Sequence, residues 1–420
     1  MSESAKIPPP HLAAPGSAWA PLREPLFRSL WIAAVISYTG TWMQNVGAGW
    51  LMTQLSTSPL MVSLVQAATT LPVFLVILPA GALADLVDRR RFLLITQGWM
   101  VLAAGTLGLL TLFHYVTPWV LLLFTFVLGL GSVMNDPAWQ ALTPEIASPA
   151  QHAPAVALNS VGFNVARAVG PALGGLVIAA AGSGTAFLLN AASFFGVIFF
   201  LYRWKRPHRE HVETGRVVDA LWTGLRYMRG NQLVRSVLIR AGAFSVGASA
   251  LLALLPVLAR PHGATGYGLL LGSFGLGALA GAALLPRLRS QHSVDKVVAF
   301  AILVFAAMTC IAGRVQAFAW LWVILFASGM AWIAILACLN VAAQTMSPSW
   351  LRARALSMYL LVLQGGMALG SAAWGALASR IGVPEALLGS AIALSAGLLM
   401  VRRYRLTSRE WELAPAVVRD

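Results

Sequence analysis

The chain has 420 residues, of which 58% are hydrophobic and only 10% charged, with a mean hydropathy of +0.76 and a formal net charge of +15. A soluble globular chain is about one-quarter charged, so this composition excludes one. Residues 29–84, 92–135, 168–202, 315–351 and 355–379 hold no Asp, Glu, Lys or Arg, and each run exceeds the roughly 20 residues that cross about 30 Å of hydrocarbon.

A membrane β-barrel would alternate over segments of about ten residues, and these runs do not. The chain reads as an all-α polytopic membrane protein. Cutting at polar, Pro and Gly punctuation gives twelve predicted spans: 29–53, 59–84, 92–113, 119–142, 155–180, 184–203, 234–258, 266–287, 295–313, 317–342, 354–378 and 384–401. The expected organisation is a disordered cytoplasmic tail (1–28), a six-helix bundle (29–204), a cytoplasmic linker (205–233), a second six-helix bundle (234–401) and a cytoplasmic tail (402–420). The first span then serves as an uncleaved insertion signal.

Charge sets the orientation. With the N-terminus in the cytoplasm, 24 of the 29 Lys and Arg fall on the cytoplasmic side. Only Arg260, Arg314 and Arg380 fall opposite, and Arg167 and Arg240 lie within spans. This positive-inside bias predicts a multi-pass protein of a bacterial inner membrane with both termini cytoplasmic. The basic excess is then topological, and no nucleic-acid partner is expected.

In chain order, span 1 carries Trp42, Gln44, Asn45 and Trp50, and span 2 carries Gln66. A flat aromatic wall suits large apolar molecules, which makes Trp42 and Trp50 cavity candidates beside the alternative of packed or lipid-facing rings. Trp31, Trp119, Trp320 and Trp350 fit interfacial belts. Between spans 2 and 3, "GALADLVDRR" concentrates charge in a turn too short to hold the two spans apart. Its arginines suit anionic headgroups or helix C-termini, and Asp85 suits a helix N-terminus.

Spans 4 and 5 bring Asp136, Gln140, Asn164 and Arg167. Intramembrane charges cost at least about 2.5 kcal/mol each on insertion scales, so they should face the interior and be paired. Three roles stand open for Asp136: proton or substrate coupling, a structural pair with Arg167, or a gate near the inner mouth. The linker places Val217, Val218, Leu221, Leu225 and Met228 at helical spacing; an amphipathic surface helix and a packed linker helix both fit.

The second half adds Arg240, Asn340, Gln344 and Gln364, and sets Cys310 and Cys338 inside spans as small buried hydrophobes. "NDPAWQALTPE" (135–145) echoes "LNVAAQTMSPS" (339–349), and "GPALGG" (170–175) echoes "GSAAWG" (370–375). Such repeats are what transporters use to alternate access around a central site. The polar residues are individually more often interhelical glue than substrate contacts. As a set they favour a neutral or weakly charged substrate.

The loop resembles the signature of the major facilitator superfamily, Gly-x-x-x-Asp-(Arg/Lys)-x-Gly-(Arg/Lys)-(Arg/Lys): Gly81, Asp85, Arg89 and Arg90 match, Leu86 replaces a basic residue and Asp88 the second glycine. "NVARAVGPALGG" (164–175) is similar to the corresponding stretch of the exporter branch that holds enterobactin-type siderophore exporters and macrolide and multidrug pumps. The resemblance implies that Asp85 braces the outward-open state against the start of span 11, near residues 354–357. It also implies a monomeric exporter of small amphipathic molecules, usually proton-coupled and without a cofactor. Many drug/proton antiporters of this kind place an arginine in span 4 where this chain has Thr125, so coupling here cannot use it.

No Gly-x-Ser-x-Gly, His-Glu-x-x-His or Walker loop is present, which argues against an enzyme. The competing readings are a metal or small-ion exporter, a lysophospholipid flippase, and a non-transporting sensor or scaffold.

Overall fold

A computed structural model describes residues 18–86, 88–148, 151–204, 232–345, 352–399 and 403–406. The linker predicted at 205–233 lies almost wholly outside the described residues, as do residues 346–351. Gly81 and Asp85 lie on described backbone, but their side chains are outside the description.

After a short 3-10 turn at Ala20–Arg23, the α-helices run in chain order as α1 (Pro25–Leu55), α2 (Pro59–Leu86), α3 (Arg89–Leu112), α4 (Pro118–Ile146), α5 (His152–Arg203), α6 (Gln232–Leu258), α7 (Gly263–Gln291), α8 (Val294–Ala312), α9 (Phe318–Thr345), α10 (Arg352–Ile381) and α11 (Val383–Gly397). Their starts follow local chemistry. Pro25 and Pro118 sit in first turns, where a missing N–H costs nothing. The Thr117 hydroxyl accepts the Val120 N–H at 3.3 Å, and the Asp88 carboxylate accepts the Arg91 N–H at 2.9 Å.

Nine of the described helices are long and apolar enough to cross a membrane. The difference from twelve expected spans has three local causes. The line of Ser37, Thr39, Thr41, Gln44 and Asn45 keeps α1 out, α11 has only 15 residues, and α5 joins two predicted spans into one element broken at Gly182 (φ 80°). That φ favours glycine. Along the first arm of α5, Gly162 faces Val35, Gly170 faces Trp42 and Gly174 faces Met43; along the second, Phe187 faces Gly47, Asn190 faces Gly40 and Gly196 faces Ala33. The register climbs α1 and then descends it, so the chain reverses at Gly182 and both arms lie along α1.

The predicted tail 1–28 ends earlier than expected. Phe27 is buried with Ala147, Ala155 and Leu158, an apolar contact that holds the start of α1 against α4 and α5. At the other end Leu406 is buried and its N–H donates to Asp295 at 3.2 Å.

The alternating helices define a near face, holding the start of α1 and the α2–α3 and α7–α8 turns, and a far face, holding the α1–α2 and α6–α7 turns. The largest apolar cluster belongs almost wholly to residues after 232, and two others to residues before 205. The halves meet through α2 on α10 and α5 on α7. These seams tighten toward the far face: Arg260 Nη2 donates to the Ser56 carbonyl at 2.9 Å, and the Leu60 N–H donates to Ser379 Oγ at 3.0 Å. A Cβ on Gly175 would lie 2.6 Å from the Ala264 carbonyl oxygen, so small residues there let the backbones touch.

Candidate functional site

A cavity of about 310 Å³ lies between the halves. Each wall is one stripe of a helix: Trp42, Asn45, Val46 and Gly49 from α1; Val62, Val65, Gln66 and Thr69 from α2; Tyr267, Leu271 and Phe274 from α7; Gln364 and Met367 from α10. Arg167 and Pro171 of α5, Leu252 and Pro256 of α6 and Trp332 of α9 also line it. Four aromatic rings, several amides and hydroxyls and one guanidinium therefore converge, and no carboxylate is among the lining residues. Rings of this kind accept bulky planar or apolar groups, while the few polar groups fix orientation.

A second pocket, about 100 Å³, lies inside the first half between α1, α3, α4 and α5. Ser37, Tyr38, Thr41, Gln97, Ser132, Asn135 and Asp136 supply its polar lining. Gln97 Nε2 donates to Asn135 Oδ1 at 2.9 Å, both residues being buried, while Asp136 is exposed. Phe163 of this pocket meets Tyr38 edge-on at 5.4 Å and Trp42 of the large cavity at 6.3 Å. An aromatic partition thus stands between the two spaces.

Among the expected cavity residues, Trp42, Asn45, Gln66 and Gln364 line the large cavity. Others do not. Gln44 turns away and accepts a hydrogen bond from Asn190 Nδ2 of the second arm of α5. Trp50 packs against the apolar cluster of the second half. Asn164 donates to the Ser160 carbonyl at 2.8 Å, Gln140 is exposed on α4, and Gln344 donates to Asn340 within α9. Arg240 needs correction as a cavity residue: it is 4% exposed and ion-paired with Asp295 at the start of α8.

Asp136 and Arg167 line different spaces, and among the described residues no ion pair joins them. Their helices are consecutive, but Asp136 faces α1 and α3 while Arg167 faces the second half. Thr69, Tyr267, Phe274 and Trp332 were missed; spacing from Gln66 marks Thr69, and large rings within glycine-rich α7 mark Tyr267 and Phe274.

In the loop, Asp88 caps α3. Arg90 donates through Nε to the Leu201 carbonyl at 2.8 Å and through Nη2 to the Tyr202 carbonyl at 2.6 Å, so it holds the C-terminal end of α5. Arg89 reaches toward the Ala141 carbonyl of α4 at 3.5 Å.

The fold is that of the major facilitator transporters. It is similar to the solved structure of a bacterial homologue of the human lysosomal transporter Spinster in an inward-facing, occupied conformation (15% identity, 92% of this chain and 98% of that one, TM-score 0.71) and to the nucleoside transporter NupG (14% identity, 90% and 100%, TM-score 0.67). The profile of the transmembrane secretion effector family matches residues 16–417, and the chain belongs to that family. Among curated proteins it is similar to the staphyloferrin A transporter of Staphylococcus aureus (26% identity over 54% of this chain and 57% of that protein). It is also similar to the multidrug efflux pump Tap of Mycolicibacterium fortuitum (30% over 52% and 55%) and the enterobactin exporter EntS of Escherichia coli O1:K1 (24% over 56% and 56%). Each match spans a little over half of the relative's length. These relatives are transporters, not enzymes.

Proposed function

We propose that this protein is a secondary exporter that moves an amphipathic organic molecule, siderophore-like or drug-like, out across a bacterial cytoplasmic membrane by alternating access. In this reading the chain crosses the membrane twelve times as two six-helix bundles, with the two arms of α5 as separate crossings and both termini in the cytoplasm. The near face is then cytoplasmic, and the tight seams at the far face make the arrangement inward-open. The observation that carries the reading is the cavity between the halves, where Trp42, Tyr267, Phe274 and Trp332 surround one cation and a few amides. The names of the relatives, two of them siderophore transporters, support the substrate class.

Coupling falls to Asp136, a carboxylate exposed at a pocket of its own. It takes up a proton in one orientation and releases it in the other, while Arg167 stays with the substrate cavity. Asp136→Asn protein in proteoliposomes should bind amphipathic dyes and catechol- or hydroxycarboxylate-bearing chelators, and exchange them downhill, yet fail to accumulate them under an imposed pH gradient. Full gradient-driven accumulation by the folded variant would end the coupling role. Wild-type protein that moves none of these probes would count against export.

A further inference from the structure

The pocket around Asp136 has an oddity that export alone does not explain. Gln97 is 3% exposed, and while its Nε2 is engaged by Asn135, its Oε1 is buried without a partner. A buried acceptor left unpaired costs on the order of 1–3 kcal/mol, so it needs a donor or a cation. The same pocket offers the Asp136 carboxylate and the hydroxyls of Ser37, Tyr38 and Thr41, and no basic side chain is among its lining residues. The groups available to a ligand are thus mostly oxygens, and they carry one formal negative charge.

We infer that this pocket binds a sodium ion, held by the Asp136 carboxylate and Gln97 Oε1 with neighbouring hydroxyls completing the shell. Hard cations take oxygen ligands of this kind. A monovalent ion leaves the pocket neutral, whereas a divalent one would leave a net positive charge beside the buried Gln97 and Asn135. The exposure of Asp136 gives the ion a way in. The titratable groups lining the pocket are Asp136 and Tyr38, so sodium and the coupling proton compete for one carboxylate. This extends the proposed coupling by naming a second ion for the same group, and it rests on geometry that is independent of which substrate is moved.

The test is binding, without substrate or gradient. Purified full-length protein in nanodiscs is titrated with 22Na⁺, and its thermal midpoint is compared in NaCl, KCl and choline chloride at constant ionic strength. Saturable binding and a midpoint rise specific to sodium are expected. Gln97→Met, which keeps the volume and removes the acceptor, should weaken binding at least about tenfold, and Asp136→Asn should abolish it. Gln344→Ala, in the second half and outside both pockets, should bind sodium as wild type does and serves as the control. Wild-type protein that does not distinguish sodium from choline overturns the site, as does undiminished binding by Gln97→Met. Because no transport is measured, such a failure leaves the export reading standing, and a failure of export leaves the sodium site standing.

Discussion

Charge is handled differently in the two halves of the molecule. At matching places near the ends of α4 and α9, the first half has Asp136 and the second has Asn340. Asp136 is exposed at a pocket lined by neutral polar groups, whereas Asn340 is tied to Gln344 one turn along its own helix. The second half does hold buried charge, but Arg240 is closed against Asp295, whose carboxylate also accepts the Leu406 N–H. Charge in the first half is available to a ligand, and charge in the second is spent on joining α6, α8 and the chain's last described residues. Under the proposed coupling, repeat-like sequences divide labour, with one copy carrying an accessible charge and the other acting as a fixed frame.

The contrast breaks most severely at Asp295. Asp295→Asn would leave Arg240 buried and uncompensated, and removing one partner of a buried pair costs on the order of 3–5 kcal/mol. Because Asp295 keeps 17% of its side chain exposed, the lower end is expected. A large drop in thermal midpoint in detergent, with Arg240→Met/Asp295→Leu recovering part of it, would fit a frame. An unchanged midpoint would mean the pair holds nothing together.

A smaller effect is expected where the halves meet. A Cβ on Gly268 would run into the Pro171 carbonyl, so Gly268→Val overpacks the α5–α7 seam at a cost of about 1–3 kcal/mol. That cost falls on the arrangement closed at the far face. Spin labels on cysteines at Thr57 and Pro261, both exposed at that face, should report longer distances in the variant. An unchanged distribution would show that the seam is not what keeps this end shut.

The smallest effect should come from the second half's counterpart of Asp136. Asn340→Ala removes one side-chain hydrogen bond between neighbours a turn apart on α9, worth about 0.2–0.5 kcal/mol, and should leave gradient-driven transport close to wild type. Loss of coupling in this variant would move the working site to the wrong half and undo the comparison.

The fold was legible because uncharged runs report the bilayer directly. The cavity was legible in part. Neighbours such as Gln44 and Asn45 point about 100° apart on a helix; composition names both, but only the packing of α5 turns Gln44 toward Asn190 and leaves Asn45 on the cavity. Arg240 was assigned to the cavity because its partner lies 55 residues away, at the first residue of the ninth predicted span. Asp136 and Arg167 looked like a pair because their spans are consecutive, and adjacency in sequence says nothing of which way each face turns. The Asp136 pocket depends on Gln97, a lone amide in α3 that no motif marks.

The contact between Arg260 and Ser56 has a consequence for variation. Its acceptor is a main-chain carbonyl, as are both acceptors of Arg90 at Leu201 and Tyr202. Any residue at these positions supplies the same oxygen, so the bond itself asks nothing of the side chain; at position 56 only an acceptor for the Ser58 N–H would be lost, whereas Leu201 is buried and the Tyr202 ring lies 5.9 Å from the Arg90 guanidinium. A saturation mutagenesis map should show Arg260 intolerant and position 56 tolerant, with no correlated substitution between the two. This clasp between the two halves would then be invisible to any method that finds contacts by watching residues change in pairs.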